Sequence, residues 1–168
     1  TAITAPSKSI IDLVQAEFGG IPGKTHAIPN GLNLLDYGKK IVDRNALKTK
    51  LGLPIDKKII ITIGWLRAGK GQEYLIKALS QIDDNENYCL VLLGRGADEE
   101  RLRNISLELR VDQQVFFAGM QSNVNEWLSV SDVAVSSSLS EGLSNALVEA
   151  AASELPIIAT NVGGNPEV

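Results

Sequence analysis

The chain has 168 residues, 44% hydrophobic and 21% charged, a composition for one packed domain with a real core or one domain plus a fragment of another. Its net charge of −4 and pI near 5.0 exclude the basic face that a nucleic-acid partner needs. No apolar run approaches the ~20 residues of a membrane-spanning helix, so no transmembrane segment is expected, although peripheral membrane association stays open.

Thr1–Ala5 reads as a strand, and Pro6-Ser7 opens a helix through Phe18 with only a partial apolar face of Ile10, Leu13 and Val14 beside Glu17. Gly19-Gly20 and Pro22-Gly23 punctuate the chain before a short strand over Thr25–Pro29. Asn30-Gly31 is a hairpin signal with no matching strand after it. His26, the lone histidine, is expected to be structural. Residues 32–57 are polar and mixed, with a helix over Asp43–Leu51 ending at Gly52.

The pattern then becomes regular. Lys58–Gly64 and Leu90–Leu93 are unbroken apolar runs, as expected of strands buried on both faces. Leu75, Ile76, Leu79 and Ile82 recur between them at helical spacing. A second helix spans Asp98 to Leu109, with Leu102, Ile105 and Leu109 on one face and an acidic first turn that suits the helix dipole. Val115–Ala118 is the next strand, Val124–Val130 a short helix, and Asp132–Ser136 a strand. Ser144–Ser153 is a helix and Pro156–Thr160 the last strand. This alternation without a hairpin predicts an α/β fold, a doubly wound parallel sheet. Cys89, the only cysteine, falls inside an apolar run and reads as a buried small residue. With no disulfide to form, a cytoplasmic location is the default expectation.

In such a sheet the loops after the strands hold ligands. Gly64-Trp65-Leu66-Arg67-Ala68-Gly69-Lys70-Gly71 comes close to a Walker A loop, but Gly71 stands where a Ser or Thr would hold Mg²⁺. Gly94-Arg95-Gly96 is a weak dinucleotide fingerprint, since no third glycine follows at the right place, yet its glycines let a ligand approach the backbone. Two carboxylates mark the last unit, Glu141 in a loop and Glu149 in the following helix, roughly 7 Å along its axis at ~1.5 Å per residue. The helix start favours a phosphate, whereas carboxylates favour hydroxyls, which they accept from. A diphosphate flanked by polyols, a nucleotide-sugar, satisfies both. A Glu pair also occurs in glycosidases, where a set separation across a cleft is needed.

Glu141-Gly142-Leu143-Ser144-Asn145-Ala146-Leu147-Val148-Glu149-Ala150, followed by Leu155-Pro156 and Gly163-Gly164-Asn165-Pro166-Glu167, resembles the signature of family 4 (group 1) retaining glycosyltransferases. In that family the pattern is a Glu, seven residues, a second Glu, a proline-led strand and a Gly-Gly-x-x-Glu turn. The resemblance implies the donor-binding half of a GT-B fold. Residues 1–35 would then be the trailing segment of the acceptor domain and the hinge at Ile28–Gly31, and 36–168 a donor-binding Rossmann-like domain truncated at its C-terminal end. The absence of an initiator Met and the stop at Val168 fit a piece of a longer chain.

The resemblance further implies transfer of a hexose from a nucleoside diphosphate sugar, with retention, to a sugar, lipid or glycan acceptor on the missing N-terminal domain. No cofactor or metal is implied. Lys70, with Arg67, would hold the diphosphate together with Gly142 and the amides of Leu143, Ser144 and Asn145. Glu149 would take the ribose, Glu141 would be catalytic at the donor sugar, and Gly94, Gly96 and the backbone at Met120 would lie against the nucleotide. Three departures stand out. Trp65 replaces the family's phosphate-gripping Arg, Asn33 replaces an Asp near the hinge, and Glu154 replaces a helix-ending Gly at a cost of ~1 kcal/mol that predicts a different helix end. A non-catalytic nucleotide-sugar-binding domain, or an epimerase or phosphorylase on a related fold, remains an alternative.

Overall fold

The computed structural model describes residues 2–19, 23–37 and 43–168. Thr1, Gly20 and Pro22, used above as strand and turn signals, lie outside the described residues.

The first elements are β1 (Ile3–Ala5), α1 (Lys8–Phe18) and β2 (Thr25–Ala27). β1 and β2 form a parallel two-stranded sheet. Ser7 caps α1 by accepting from the Ile10 amide, and Gly19 ends it in the left-handed conformation. Of the partial apolar face, Leu13 is exposed; the residue that is buried is Ile11. The chain then passes Asn30-Gly31 into a 3₁₀ turn at Leu34–Asp36, capped by Asn33, which accepts from the Leu35 amide.

The main body follows the alternation expected: α2 (Arg44–Lys50), β3 (Lys58–Ile63), α3 (Gln72–Leu79), β4 (Tyr88–Leu93), α4 (Glu99–Glu108), β5 (Val115–Gly119), α5 (Val124–Val130), β6 (Val133–Ser136), α6 (Asn145–Ala152) and β7 (Ile157–Ala159). The five strands are ordered β5-β4-β3-β6-β7, and every pairing is parallel. Chain order therefore reverses between β3 and β6, the switch point at which open α/β sheets bind ligands.

Period-two alternation along β3 and β4 splits the core into two layers. Ile59, Ile61, Cys89, Val91 and Leu93 face Trp127, Leu128, Val130 and Ala150 of α5 and α6. Leu90 and Leu92 face Ile76 and Leu79 of α3 and Leu102 of α4. The α3 face is the one read from spacing, whereas Leu109 of the expected α4 face is 37% exposed. It follows the last turn, and Val111, fully buried beyond it, fills that place instead.

One expectation is corrected here. α6 does not end differently for want of glycine, because Glu154 itself adopts the left-handed conformation at φ 56°. The Leu155 amide donates to the Ala150 carbonyl at 3.1 Å, closing the helix end across it. Burial of Leu147 and Ala150 against the sheet holds α6 in place and offsets ~1 kcal/mol of backbone strain.

Candidate functional site

Two loops meet at the switch point. The loop after β3 makes a short 3₁₀ turn at Ala68–Lys70 and passes through Gly71 into α3. The loop after β6 carries Ser137 to Ser144 into α6. They are tied by backbone and side chain alike: the Leu139 amide donates to the Gly69 carbonyl at 2.9 Å, and the Ser137 hydroxyl to the Lys70 carbonyl at 3.0 Å. Gly71, at φ 65°, packs so closely that a Cβ there would overlap the Ser137 carbonyl oxygen. A Ser or Thr at this position, as a Walker A loop requires, does not fit.

The seam brings Lys70 and Glu141 together. The Lys70 ammonium donates to Glu141 Oε1, the Ser138 hydroxyl donates to the same oxygen at 2.7 Å, and both members of the ion pair are largely buried. Removing either partner would leave a charge stranded in a poorly solvated place. Behind Glu141 lies the Gly163-Gly164 turn, where Cβ atoms would overlap the carbonyl oxygens of Glu141 and Gly142. The Thr160 hydroxyl donates to the Ser138 carbonyl at 2.6 Å. The glycine pair thus sets the position of the Glu141 loop by close packing.

α6 begins at this seam, with Ser144 at its N-cap. Among the described residues, no acceptor pairs with the amides of Leu143, Ser144 or Asn145, so they are available to an anion. Asn145 also accepts from Asn30, whose side-chain amide lies 2.8 Å from it. Glu149 lies one turn further along α6 and faces Tyr37, whose hydroxyl donates to it. Burial raises the Glu149 carboxyl above its usual range, against the lowering effect of the Tyr37 hydrogen bond. Tyr37 is raised in turn, by burial first and by the Glu149 charge second.

The other expected residues are placed less closely. Arg67 is exposed, and no ion pair joins it to Glu141 among the described residues. Gly94 and Gly96 pack against the β3 loop itself, since Cβ atoms on them would overlap the carbonyl oxygens of Gly64 and Leu66. Met120, 57% exposed, lines a pocket of about 190 Å³ at the carboxyl ends of β3, β4 and β5 with Gly64, Trp65, Arg95 and Gln121. A larger cavity of about 910 Å³ opens near Ser131, Asp132 and Pro156, at the amino ends of β6 and β7, and Tyr37 also lines it. It holds neither Lys70 nor Glu141, and parallel sheets bind ligands at the other end. Sequence reasoning missed Tyr37, Ser138 and Arg95. Tyr37 and Arg95 act through partners distant in sequence, Glu149 and Trp65, whereas Ser138 acts on Glu141 three residues away, a contact that depends on how the loop folds. No group of three or more His, Cys, Asp or Glu gathers among the described residues.

The profile of the family described as glycosyl transferases group 1 matches residues 43–168, which include every element of the seam. The chain belongs to the group 1 glycosyltransferases. It is 32% identical over 167 residues to an N-acetyl-alpha-D-glucosaminyl L-malate synthase of Bacillus anthracis, covering 94% of this chain and 43% of that one. An uncharacterized glycosyltransferase of Methanocaldococcus jannaschii is 30% identical over 155 residues, covering 92% of this chain and 38% of that protein. The chain thus spans less than half of the relatives it matches. Its fold is that of the C-terminal domain of GT-B glycosyltransferases. Anabaena HepE, crystallised with UDP-glucose, superposes with a TM-score of 0.88 at 25% identity, over 99% of this chain and 46% of that one. WaaG, a glycosyltransferase of lipopolysaccharide biosynthesis, superposes with a TM-score of 0.89 at 20% identity over 98% and 45%.

Proposed function

We propose that this group 1 glycosyltransferase chain binds a nucleoside diphosphate sugar at the seam between the β3 and β6 loops. In this reading it is the donor half of a retaining hexosyltransferase whose acceptor, a sugar, lipid or glycan, binds the N-terminal half of a longer protein. The observation that carries it is the convergence of Lys70, Glu141 and the free amides at the start of α6 on the switch point. A diphosphate has a cation and a helix N-terminus there, and both favour negative charge. Glu149 retains carboxylate lone pairs beyond the one that Tyr37 occupies, and these accept ribose hydroxyls. Glu141 accepts from the donor sugar once the diphosphate competes for Lys70. That the HepE structure was solved with UDP-glucose supports this donor class.

A binding-only role is the second reading, favoured by Trp65 in place of an Arg and by a Lys70 already engaged with Glu141. Calorimetric titration with UDP and UDP-glucose tests the donor reading. A charge-assisted hydrogen bond contributes ~1.5–3 kcal/mol, so Glu149→Ala weakens UDP roughly 10- to 100-fold. Glu141→Ala does not weaken UDP, because it frees Lys70, but it weakens UDP-glucose. Circular dichroism confirms that both variants fold. Equal losses on UDP for the two variants would overturn the division of roles.

A further inference from the structure

Trp65, the departure from the family pattern, is not idle. Its indole is 54% exposed, yet its backbone is fixed on both sides. The buried Gln72 amide donates to the Trp65 carbonyl at 2.9 Å, and the next residue, Leu66, is 1% exposed with its amide donating to the Arg95 carbonyl at 2.9 Å. The Arg95 guanidinium lies over the Trp65 ring, 5.7 Å from its centroid, and no carboxylate pairs with it among the described residues. An exposed aromatic held on a rigid loop under an uncompensated cation, with Met120 also exposed nearby, leaves apolar surface that water does not satisfy. Trp65, Arg95, Met120, Gln121 and Val124 together bound the pocket of about 190 Å³, a space for one planar ring system.

We infer that Trp65, backed by Arg95, is a stacking surface for the nucleobase of the donor. Affinity that an arginine at this position would draw from the diphosphate charge is drawn here from the face of the base. The inference rests on the donor reading above and adds the residue that sets how the nucleotide is held. Base–aromatic stacking tolerates any base, since each has a π-face, and a guanidinium over the ring strengthens such stacking.

The test separates base from phosphate. The 168-residue chain is titrated with UDP, GDP, ADP and inorganic pyrophosphate, while tryptophan emission is followed. The other tryptophan, Trp127, is 3% exposed in the core, so quenching on nucleotide addition reports Trp65. Trp65→Ala is expected to weaken the tightest-binding nucleotide roughly 5- to 100-fold, to leave pyrophosphate unchanged, and to abolish the quench. Trp65→Phe, which keeps a ring in the same fold, retains most of the affinity. Equal weakening of pyrophosphate and nucleotide by Trp65→Ala, or nucleotide binding with neither quench nor loss, overturns the stacking role and leaves the donor reading intact. Failure of the unaltered chain to bind any of the three nucleotides overturns both.

Discussion

Glu149, proposed above to accept the ribose hydroxyls, is a carboxylate whose charged form the fold disfavours. Burial is the largest influence on it and raises its pKa; the Tyr37 hydrogen bond acts the other way. A hydrogen bond to the charged carboxylate contributes about 1.5–3 kcal/mol, yet burial is the larger influence and the net shift is upward. A carboxyl whose folded pKa is raised contributes stability at low pH that is lost as the pH rises through that value. At neutral pH the ionised Glu149 therefore costs stability. Glu149→Gln keeps an acceptor for Tyr37 and removes the charge. Its melting temperature should exceed the parent's at pH 7, and the two should converge below about pH 4, near the usual glutamate value. The same variant should bind UDP less tightly, because a neutral amide is a weaker acceptor for the ribose. A lower melting temperature at pH 7 would show that the charge is satisfied in the free protein. Cys89 is a parallel case, a thiol that burial pushes up to about 11.

The elements that follow a periodic pattern were legible in the sequence, and those that depend on remote partners were not. Val124–Val130 was read to the residue as α5, and the Ile-rich run as β3, because alternation and helical spacing are local properties. Lys70 and Glu141 both stand out in the sequence as candidate site residues, yet their mutual ion pair does not, since it joins positions 71 residues apart. The same holds for Glu167, the last residue of the resembled signature. Its carboxylate accepts from the amides of Lys8 and Ser9 at 2.8 and 2.9 Å, capping α1 from the far end of the chain. Those two bonds, Lys8 first, hold its pKa below the usual range. A depressed carboxyl contributes stability above its unfolded pKa, and that contribution is lost as the pH falls through the folded value. Glu167→Gln should lower the melting temperature at pH 7, with the deficit shrinking below about pH 4 as the parent's carboxylate protonates. A deficit independent of pH would mean that shape, and not charge, holds α1 at this turn.

At the scale of the molecule, the sheet order and the two packed loops frame the proposed donor site, with α1 fastened to them through Glu167 and through Ser7, which is buried against Gly164. Transfer also requires an acceptor held against the donor carbon in one cleft, and positioning of that kind supplies much of the rate. The chain spans 38% and 43% of the lengths of two glycosyltransferase relatives. The prediction is that the 168-residue chain binds a nucleoside diphosphate and transfers no sugar by itself. The contacts proposed for the diphosphate are Lys70 and backbone amides, so addition of a chelator should leave the dissociation constant unchanged. Incubation with UDP-glucose and a panel of sugar and lipid acceptors should give no product above the uncatalysed rate. Turnover by this chain alone would place acceptor-binding residues within it. Loss of nucleotide binding on chelation would instead mean that a metal, and not Lys70 with the start of α6, meets the phosphates.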